Sequence, residues 1–528
     1  MADILTEIVE KRKADIERLG VTFGFDIPEK RGRPVHPFLP EKGVILEVKR
    51  ASPSKGDIAP DLDSAATANS YAEAGAAAIS CLTEKNFFKG TLEDLIKVCE
   101  AVDAFEKDNG GRTAPAVLRK DFLINKEEIE IAYRAGADAV LLIARILDDA
   151  MIVEMAKAAA VHKMTSLVEV RSDEDIEKLR AVAETVSHEF IVCGVNSRDL
   201  ATFKIDLLKP CALLEKIRGV LGTDARVIFE SGIRTPQAAR FVGGLGFTGM
   251  LLGEAAAKAP QLRAELVSSF VNAESNKNAE FWNTVSTVVE CPVPERSRRA
   301  GCIETTADLD KTDIRGSFDT ASGLLNHRIS RSRPLIKICG LTRVEDVLYA
   351  DSLGADFVGF IFAAGFGRNV CGEKFEAIIP NLKKVKAKKV AVITDPASPE
   401  ADAAARYVEQ GILDCIQLHG IEYEQVSARF LELPHYFAIT EKNGSIEKAA
   451  EKLFLIGEPR FLQDSKSQGY DTTHPLWLAG GVTPENAGEL VARYHPELID
   501  VSSGVEDETV GIKNHEKLAV ILNLIQDL

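Results

Sequence analysis

Short apolar runs recur along the chain, separated by Ala-, Glu- and Lys-rich stretches whose apolar positions follow a helical period. Continuous runs of this length are typical of parallel strands that are buried on both faces. The first half of the chain contains eight runs, at residues 44–48, 77–82, 115–120, 139–144, 165–170, 190–195, 226–231 and 249–254. The second half contains eight more, at residues 335–340, 357–362, 389–394, 415–420, 435–440, 460–465, 476–481 and 498–503.

Two circuits of eight strand–helix units predict an α/β protein with two (β/α)₈ TIM barrels in tandem, joined by a long linker. A chain of 528 residues is long enough for both barrels. Two open, doubly wound sheets would show the same alternation, but such sheets usually have fewer strands. We expect a first barrel at 1–270, a linker at 271–334 and a second barrel at 335–528.

The charge balance narrows the classes of partner. The chain has 64 Lys and Arg against 80 Asp and Glu, and the formal charge of −16 argues against binding to nucleic acid or an anionic membrane. Its nine cysteines form no C-x-x-C pair and no metal-type spacing with histidine, so we expect a reduced, cytoplasmic compartment. The amphipathic N-terminal segment carries both charge signs, and no apolar run approaches the ~20 residues needed to cross a bilayer.

The linker at 271–334 is polar and has no sustained period. We expect it to be partly disordered, with a short helix around residues 281–289. A basic recognition tract is the alternative interpretation, because the segment contains Arg296, Arg298, Arg299, Arg328, Arg331 and Arg333.

One motif, at Gly244, Gly246 and Gly249, fits the G-x-G-x-x-G pattern of dinucleotide-binding proteins. That fingerprint must follow a strand and begin a helix. Here the glycines follow a helical segment and lead into an apolar run, so we interpret them as a helix-to-strand turn and expect no nicotinamide cofactor.

Glycines and serines follow the last two runs of each half. Barrels that bind phosphate commonly use the loops after strands 7 and 8, where glycine lets the backbone approach the anion and serine adds a donor. Each pair alone suits an ordinary turn, but four pairs in the four expected places favour phosphate sites. These residues are Ser231, Gly232, Gly253 and Glu254 in the first half and Gly480, Gly481, Ser502, Ser503 and Gly504 in the second.

Ionisable side chains interrupt the other runs of the first half. Glu47 and Lys49 share one face of the first run because side chains alternate along a strand. Lys120 and Glu169 end later runs, and Asn196 follows another. Charges in apolar runs are costly unless they are paired or functional. We expect a lysine crowded by a second lysine to have a lowered pKa, suited to a general acid. Buried ion pairs that tie strands together are the alternative.

Longer motifs resemble two known families. ILEVKRASPSKG (45–56), LRKDF (118–122), LVEV (167–170), GVNSRDL (194–200), ESGI (230–233) and LLGEA (251–255) resemble indole-3-glycerol-phosphate synthase in order and spacing. KICGLTR (337–343), QLHG (417–420), LAGGVTPEN (478–486) and DVSSGVE (500–506) resemble phosphoribosylanthranilate isomerase. The whole chain is similar to the fused bifunctional enzymes of tryptophan biosynthesis, with the synthase first.

For the second half, the resemblance implies an Amadori rearrangement of an aminoaldose phosphate to an aminoketose phosphate. Cys339 is then the base that takes the C2′ proton, and Asp464 is the acid that opens the ribose ring. Arg368 is the implied substrate contact, and we expect a phosphate site with this arginine close by to lower the pKa of the thiol.

For the first half, the resemblance implies ring closure of the aminoketose phosphate with loss of CO₂ and water. Lys120 is the implied general acid, Glu169 the partner acid or base, and Glu47 with Lys49 completes the catalytic cluster. The implied substrate contacts are Ser52 and Lys49 near the phosphate, Phe88 and Phe122 around the aromatic ring, and Asn196 and Arg198 beside the anthranilate. The implied partners are small phosphorylated anthranilate-ribose substrates, with no cofactor, no metal and a monomeric chain.

The second half departs from its family in three places. Phe366 stands where the family usually has serine, Ile439-Thr440-Glu441 replaces a common lysine, and a shortened SKSQGYDTTHPLW follows Asp464. We expect an active isomerase because Cys339, Asp464, Arg368 and both phosphate loops remain. The alternative is a weakened or non-catalytic barrel that acts as a phosphate-binding or structural module.

Two other activities are possible rivals. A lyase would use Lys120 as a Schiff base, which borohydride would trap. A metal-dependent hydrolase would need converging histidines, and His419 is interpreted here as structural.

Overall fold

A computed structural model of the protein describes residues 4–109, 113–199, 204–290, 333–466 and 469–528. Each of the sixteen apolar runs overlaps one barrel strand. The strands of the first half are β1 (Gly43–Val48), β2 (Ala51–Ser52), β3 (Gly56–Asp57), β4 (Ala78–Leu82), β5 (Ala116–Lys120), β6 (Ala139–Ile143), β7 (Thr165–Val170), β8 (Ile191–Asn196), β9 (Val227–Glu230) and β10 (Gly249–Leu252). The strands of the second half are β11 (Leu335–Ile338), β12 (Phe357–Ile361), β13 (Lys388–Ile393), β14 (Cys415–His419), β15 (His435–Thr440), β16 (Phe461–Asp464), β17 (Trp477–Ala479) and β18 (Leu498–Val501).

Helices alternate with these strands. Those of the first half are α1 (Ile4–Leu19), α2 (Ser64–Glu73), α3 (Leu92–Asp108), α4 (Glu127–Arg134), α5 (Asp149–Val161), α6 (Asp173–Ala183), α7 (Lys209–Leu221), α8 (Pro236–Gly244), α9 (Glu254–Lys258), α10 (Arg263–Val271) and α11 (Lys277–Glu290). Those of the second half are α12 (Val344–Ser352), α13 (Glu373–Leu382), α14 (Pro399–Glu409), α15 (Ala428–Glu432), α16 (Ile446–Ile456), α17 (Ala487–Tyr494) and α18 (His515–Gln526). Side-chain caps fix several starts, as where Asp148 accepts from the Met151 amide and Ser172 from the Asp175 amide.

Both sheets close, which confirms the tandem (β/α)₈ prediction and rules out open sheets. In the first barrel β1 pairs in parallel with both β4 and β10, and in the second β11 pairs with both β12 and β18. The short strands β2 and β3 form a separate hairpin after β1. Closure brings every strand's carboxyl end to one rim of its barrel, which is where catalytic side chains of this fold lie.

The interiors of the two barrels differ. In the first, a cluster of apolar side chains fills the space that the strands enclose, and it includes Ile45, Leu118 and Ile228. In the second, the fully buried Lys337 donates to Gln417 at 2.7 Å and Asp500 at 2.6 Å. Tyr436 donates to the same Gln417 oxygen at 2.9 Å. A buried charge of this kind is tolerated because its donors are satisfied.

The predicted linker begins with structure. Helix α11 covers residues 277–290, which includes the short helix expected around 281–289. Its Trp282 is fully buried and packs against Trp477 of the second barrel at a centroid distance of 5.9 Å, while Asn283 donates to Leu245 O of the first. The basic tract from Arg296 to Arg331 lies outside the described residues, and the boundaries at 270 and 335 stay predictions.

The glycine motif at 244–249 joins the end of α8 to the start of β10, with Gly246 in the left-handed region at φ 98°. The interpretation as a helix-to-strand turn is confirmed. Among the described helices, none combines the length and the apolar character needed to span a bilayer.

Candidate active sites

One cavity of about 160 Å³ opens at the carboxyl ends of the strands of the first barrel. All the site residues proposed for this half line it. They are Glu47, Lys49, Ser52, Phe88, Lys120, Phe122, Glu169, Asn196, Arg198, Ser231, Gly232, Gly253 and Glu254. The structure therefore places these side chains around one volume, although their chemical roles stay proposals.

The centre of the cavity is a network of opposite charges. Glu47, which is 1 % exposed, accepts from Lys49 Nζ at 2.7 Å and lies 3.1 Å from Lys120 Nζ. Lys120 Nζ also lies 3.4 Å from Glu230 Oε2. Glu47 lies on β1 and Lys49 directly follows this strand, and both reach the same cavity because side chains two residues apart in extended backbone point the same way.

The expected lowering of a lysine pKa by a second lysine is wrong for Lys120. Burial disfavours its ammonium, but the carboxylates of Glu47, Glu230 and Glu169 outweigh that cost and raise the pKa of Lys120 well above its usual value. Burial likewise opposes the charge of Glu47, yet Lys120 and Lys49 lower its pKa to about 2. Lys120 is thus protonated near neutral pH.

Glu230, at the end of β9, was not among the site residues proposed from the sequence. Its side chain is fully buried, and burial together with Glu169 raises the pKa of Glu230 to about 7, against the opposing effect of Lys120. Glu169 behaves differently because Arg171 pairs with it at 2.7 Å and, with Lys120, lowers its pKa against the effect of burial. Two neighbouring carboxyl groups therefore titrate in different pH ranges, which is the pattern that acid and base roles require.

The rim of the cavity brings the two glycine loops together. Ser231 and Gly232 have φ 75° and 88°, and a left-handed serine is a strained backbone state that persists mostly at functional sites. A Cβ added to Gly253 would lie 2.5 Å from Glu47 Oε1, so a larger residue there would displace the Glu47 carboxylate. Lys55 and Arg234 also line this cavity and supply cations that the sequence analysis did not select.

One wall of the cavity is apolar. Phe88 and Phe122 lie 5.8 Å apart, and Lys49 Nζ lies 5.8 Å from the Phe88 ring centroid. Helix α1 contributes Leu5 and Ile8 to the same wall, a position that its amphipathic pattern alone did not reveal. A planar aromatic ligand would find ring contacts here and charged partners at the centre.

In the second barrel, Cys339 directly follows β11 and Asp464 ends β16. Burial raises the pKa of Asp464, more than Lys466 and Lys337 lower it. His419 Nε2 lies 3.9 Å from Asp464, and burial together with Lys337 lowers the pKa of His419 to about 4. The raised pKa of Asp464, beside an imidazole with a lowered pKa, is a shift in the direction that suits an acid.

The expected lowering of the Cys339 pKa is wrong for this structure. Burial raises the pKa of the thiol, and the opposing effects of Lys337 and Lys513 do not compensate for it. Arg368, expected to help, instead forms a bidentate ion pair with Glu506 at 2.7 Å for both bonds. Gly359 leaves room for the thiol, since a Cβ on this residue would lie 2.8 Å from the Cys339 sulfur.

Lys513 is a site residue that the sequence analysis missed. Its side chain is buried, donates to Ser502 O at 3.0 Å and Glu506 Oε1 at 2.9 Å, and is electrostatically coupled to Cys339. It follows β18 by twelve residues, so no strand-end pattern could identify it.

The two glycine loops of the second barrel lie against each other. A Cβ on Gly504 would be 1.9 Å from Val482 O, and one on Gly480 would be 2.5 Å from Ser465 O. No atom of the described residues lies within 4 Å of the Cβ position of Gly481. Ser502 and Ser503 follow β18 at the same rim.

The departures from the isomerase pattern have structural counterparts. The described residues between β16 and β17 form no helix; Tyr470 instead donates to Ser465 O at 3.0 Å and Ala479 O at 2.8 Å. Phe366 is half exposed, and Glu441 accepts from the Lys466 amide at 3.2 Å. The shortened segment thus folds back beside Asp464.

Across the residues that the structure describes, no group of three or more His, Cys, Asp and Glu side chains is arranged to hold a metal ion. His419 lies 3.1 Å from Gln417 Nε2 through Nδ1 and faces Asp464 through Nε2. It belongs to the rim of the second barrel.

Family models match both barrels in order. Residues 34–268 match "Indole-3-glycerol phosphate synthase", and residues 336–524 match "N-(5'phosphoribosyl)anthranilate (PRA) isomerase". The chain is 36% identical to an indole-3-glycerol phosphate synthase of Exiguobacterium sibiricum, over 51% of this chain and 96% of that protein.

Longer relatives match most of the chain. It is 29% identical to a multifunctional tryptophan biosynthesis protein of Phycomyces blakesleeanus, over 90% of this chain and 61% of that protein. It is 28% identical to the tryptophan biosynthesis protein TRP1 of Phytophthora nicotianae, over 87% of this chain and 86% of that protein. The chain spans about three fifths of the length of the Phycomyces relative. The protein therefore belongs to the indole-3-glycerol phosphate synthase family through its first barrel and carries a phosphoribosylanthranilate isomerase domain as its second.

Proposed function

We propose that the protein catalyses two consecutive steps of tryptophan biosynthesis. The second barrel converts N-(5-phosphoribosyl)anthranilate to carboxyphenylamino-deoxyribulose phosphate, and the first converts that ketose to indole-3-glycerol phosphate with loss of CO₂ and water. The observation that carries the synthase assignment is the convergence of Lys120, Glu47 and Glu169 in one cavity lined by two glycine loops, with the buried Glu230 next to Lys120.

In the synthase step, Lys120 donates a proton to the ketone oxygen while the aromatic carbon attacks the ketone carbon. Its raised pKa keeps the proton available, and Glu47 fixes the ammonium in place. Decarboxylation restores the aromatic ring. The hydroxyl then leaves as water after protonation, and the ionised Glu169 accepts the proton released as the indole forms.

We assign Glu230 the role of returning a proton to Lys120 after the ketone oxygen has been protonated and before the hydroxyl leaves. The two groups lie 3.4 Å apart, and a pKa of about 7 lets the carboxyl group both hold and release a proton near neutral pH.

We predict that synthase kcat falls as pH rises through about 7, because the protonated form of Glu230 is lost. The Glu230→Gln variant should lack this limb of the profile and have a kcat lower by about 10²-fold, as for loss of one acid–base group. The measurement is kcat against pH with ketose phosphate added directly. An unchanged limb in the variant would reject the assignment.

In the isomerase step, Asp464 donates a proton to the ring oxygen as the C1′–oxygen bond breaks, which opens the sugar and leaves an iminium ion. Cys339 then removes the C2′ proton, and the resulting enolamine tautomerises to the aminoketose. The raised pKa of Asp464 suits the acid. Lys337 and Lys513 favour the thiolate form of Cys339 against the cost of burial. The glycine loops after β17 and β18 would hold the phosphate.

A second candidate function is a non-catalytic second barrel. Two observations favour it: Arg368 is paired with Glu506, and the described residues of the short segment after Asp464 form no helix. We prefer the active isomerase because the acid and the base remain at the carboxyl ends of β16 and β11, on one rim of the barrel.

The decisive experiment gives the purified protein N-(5-phosphoribosyl)anthranilate and follows the ketose and indole-3-glycerol phosphate together. The proposal expects indole-3-glycerol phosphate to form from either substrate, without added metal or cofactor. Turnover of added ketose with no turnover of N-(5-phosphoribosyl)anthranilate would support the non-catalytic second barrel. We also propose that the protein is cytoplasmic and that it acts as a monomer. Light scattering under turnover conditions tests its oligomeric state.

A further inference from the structure

The second barrel holds a loop of the first barrel's site. Arg460, which precedes β16 and is 1 % exposed, donates to both oxygens of Asp206 at 2.8 and 3.0 Å and to both oxygens of Glu497 at 2.6 and 3.0 Å. Asp206 belongs to the first barrel, in the connection between β8 and α7. One guanidinium therefore joins a carboxylate from each barrel in bidentate geometry, the strongest form of such a contact.

From Asp206 a short path of hydrogen bonds leads into the synthase cavity. The Asp206 amide donates to Ser197 O at 2.9 Å, and Ile205 pairs with Arg198 in an antiparallel bridge. Ser197 lies directly between Asn196 and Arg198, both of which line the cavity. The position of these two side chains is thus linked to Arg460 through the backbone of one loop.

A second loop of the same site also contacts the second barrel. The Thr235 hydroxyl, which caps α8 just beyond the Ser231–Gly232 rim, donates to Leu455 O at 2.9 Å. Gly457 packs so closely that a Cβ there would lie 2.6 Å from Ala238 Cα. Two adjacent synthase loops are therefore held against one face of the isomerase barrel.

We propose that Arg460 is a positioning residue for the synthase reaction: through Asp206 it holds the loop that presents Asn196 and Arg198 to the anthranilate end of the ketose phosphate. This inference rests on the proposed synthase function. It makes the second barrel part of the working synthase, whether or not the second barrel is itself catalytic.

The test compares full-length Arg460→Met, Arg460→Lys and Asp206→Asn proteins with the wild type. Loss of loop position should raise the synthase KM for ketose phosphate and lower kcat/KM by about 10- to 100-fold, since small displacements of substrate-positioning groups have effects of this size. Arg460→Lys should recover only part of this, because an ammonium cannot serve two carboxylates in bidentate fashion. Far-UV circular dichroism of the same samples reports folding, since a merely structural loss would lower the folded fraction and the synthase kcat together and leave KM unchanged.

The matched control is Arg429→Met. Arg429 also bridges two carboxylates, Asp402 at 2.6 Å and Glu409 at 2.7 Å, but within the second barrel only. Its synthase KM should equal that of the wild type.

Hydrogen exchange gives a readout that is independent of activity. The amides of Asp199 and Asp206, which donate within the loop at 2.8 and 2.9 Å, should exchange faster in Arg460→Met than in the wild type. Faster exchange with an unchanged KM, or unchanged exchange, overturns the positioning role. A wild-type protein that does not convert ketose phosphate would overturn the proposed function instead, and exchange would still decide whether Arg460 holds the loop.

Discussion

The Lys120→Met protein should convert ketose phosphate with kcat/KM lower by about 10²- to 10⁴-fold, the range expected for loss of a well-placed general acid. The physical reason is that Lys120 is the proposed proton donor to the ketone, and its ammonium is held 3.1 Å from Glu47 and 3.4 Å from Glu230. Methionine keeps the apolar stem of the side chain and removes only the charge. The measurement is steady-state formation of indole-3-glycerol phosphate from added ketose.

Two controls separate chemistry from folding. Lys42→Met removes a half-buried lysine from the other end of the barrel, where it donates to Gly243 O and Ala273 O, and it should leave kcat/KM near the wild-type value. The isomerase activity of Lys120→Met should also persist. A substrate-dependent mass increase at Lys120 after borohydride reduction would contradict the general-acid role and indicate a Schiff base.

Sequence periodicity was sufficient to predict both barrels, because sixteen buried parallel strands leave sixteen continuous apolar runs. The same logic predicted where the site residues lie, since residues that end such runs meet at one rim. Glu47, Lys120 and Glu169 are examples: each is a charge in or at the end of an apolar run, and all three line the same cavity.

The electrostatics of the site could not be predicted in this way. Sequence spacing places Lys49 near Glu47 but does not show that Lys120 faces three carboxylates. The predicted direction of the pKa shift of Lys120 was therefore wrong. The thiol of Cys339 was misjudged for a similar reason, because burial depends on the whole surrounding shell. Glu230 was visible as a strand-end carboxylate, and this signal alone could have identified it.

Contacts between distant segments were also beyond the sequence. Arg460 and Asp206 are 254 residues apart, and neither position carries a motif that indicates the other. Helix α1 forms a wall of the synthase cavity because its buried Arg12 bonds Asp121 at 2.6 Å, across 109 residues. Such contacts form when folded barrels and helices pack against each other, and local patterns of polar and apolar residues do not predict that packing.

The Cys339→Ala protein should lose isomerase activity by about 10²- to 10⁴-fold, because no other group is assigned to remove the C2′ proton. Its synthase activity on added ketose should be unchanged, so N-(5-phosphoribosyl)anthranilate would remain unconverted while added ketose is still consumed. The measurement is disappearance of N-(5-phosphoribosyl)anthranilate, followed by its fluorescence, in parallel with formation of indole-3-glycerol phosphate.

Cys371→Ala is the matched control, since Cys371 is a partly exposed free thiol of the same barrel to which no catalytic role is assigned, and this variant should keep both activities. The wild-type isomerase rate should rise with pH as Cys339, whose pKa is raised, loses its proton. An isomerase rate in Cys339→Ala equal to that of the wild type would show that another base acts in this barrel. Equal loss of both activities would instead mean that the substitution perturbs the fold, because the synthase barrel contains none of the isomerase groups.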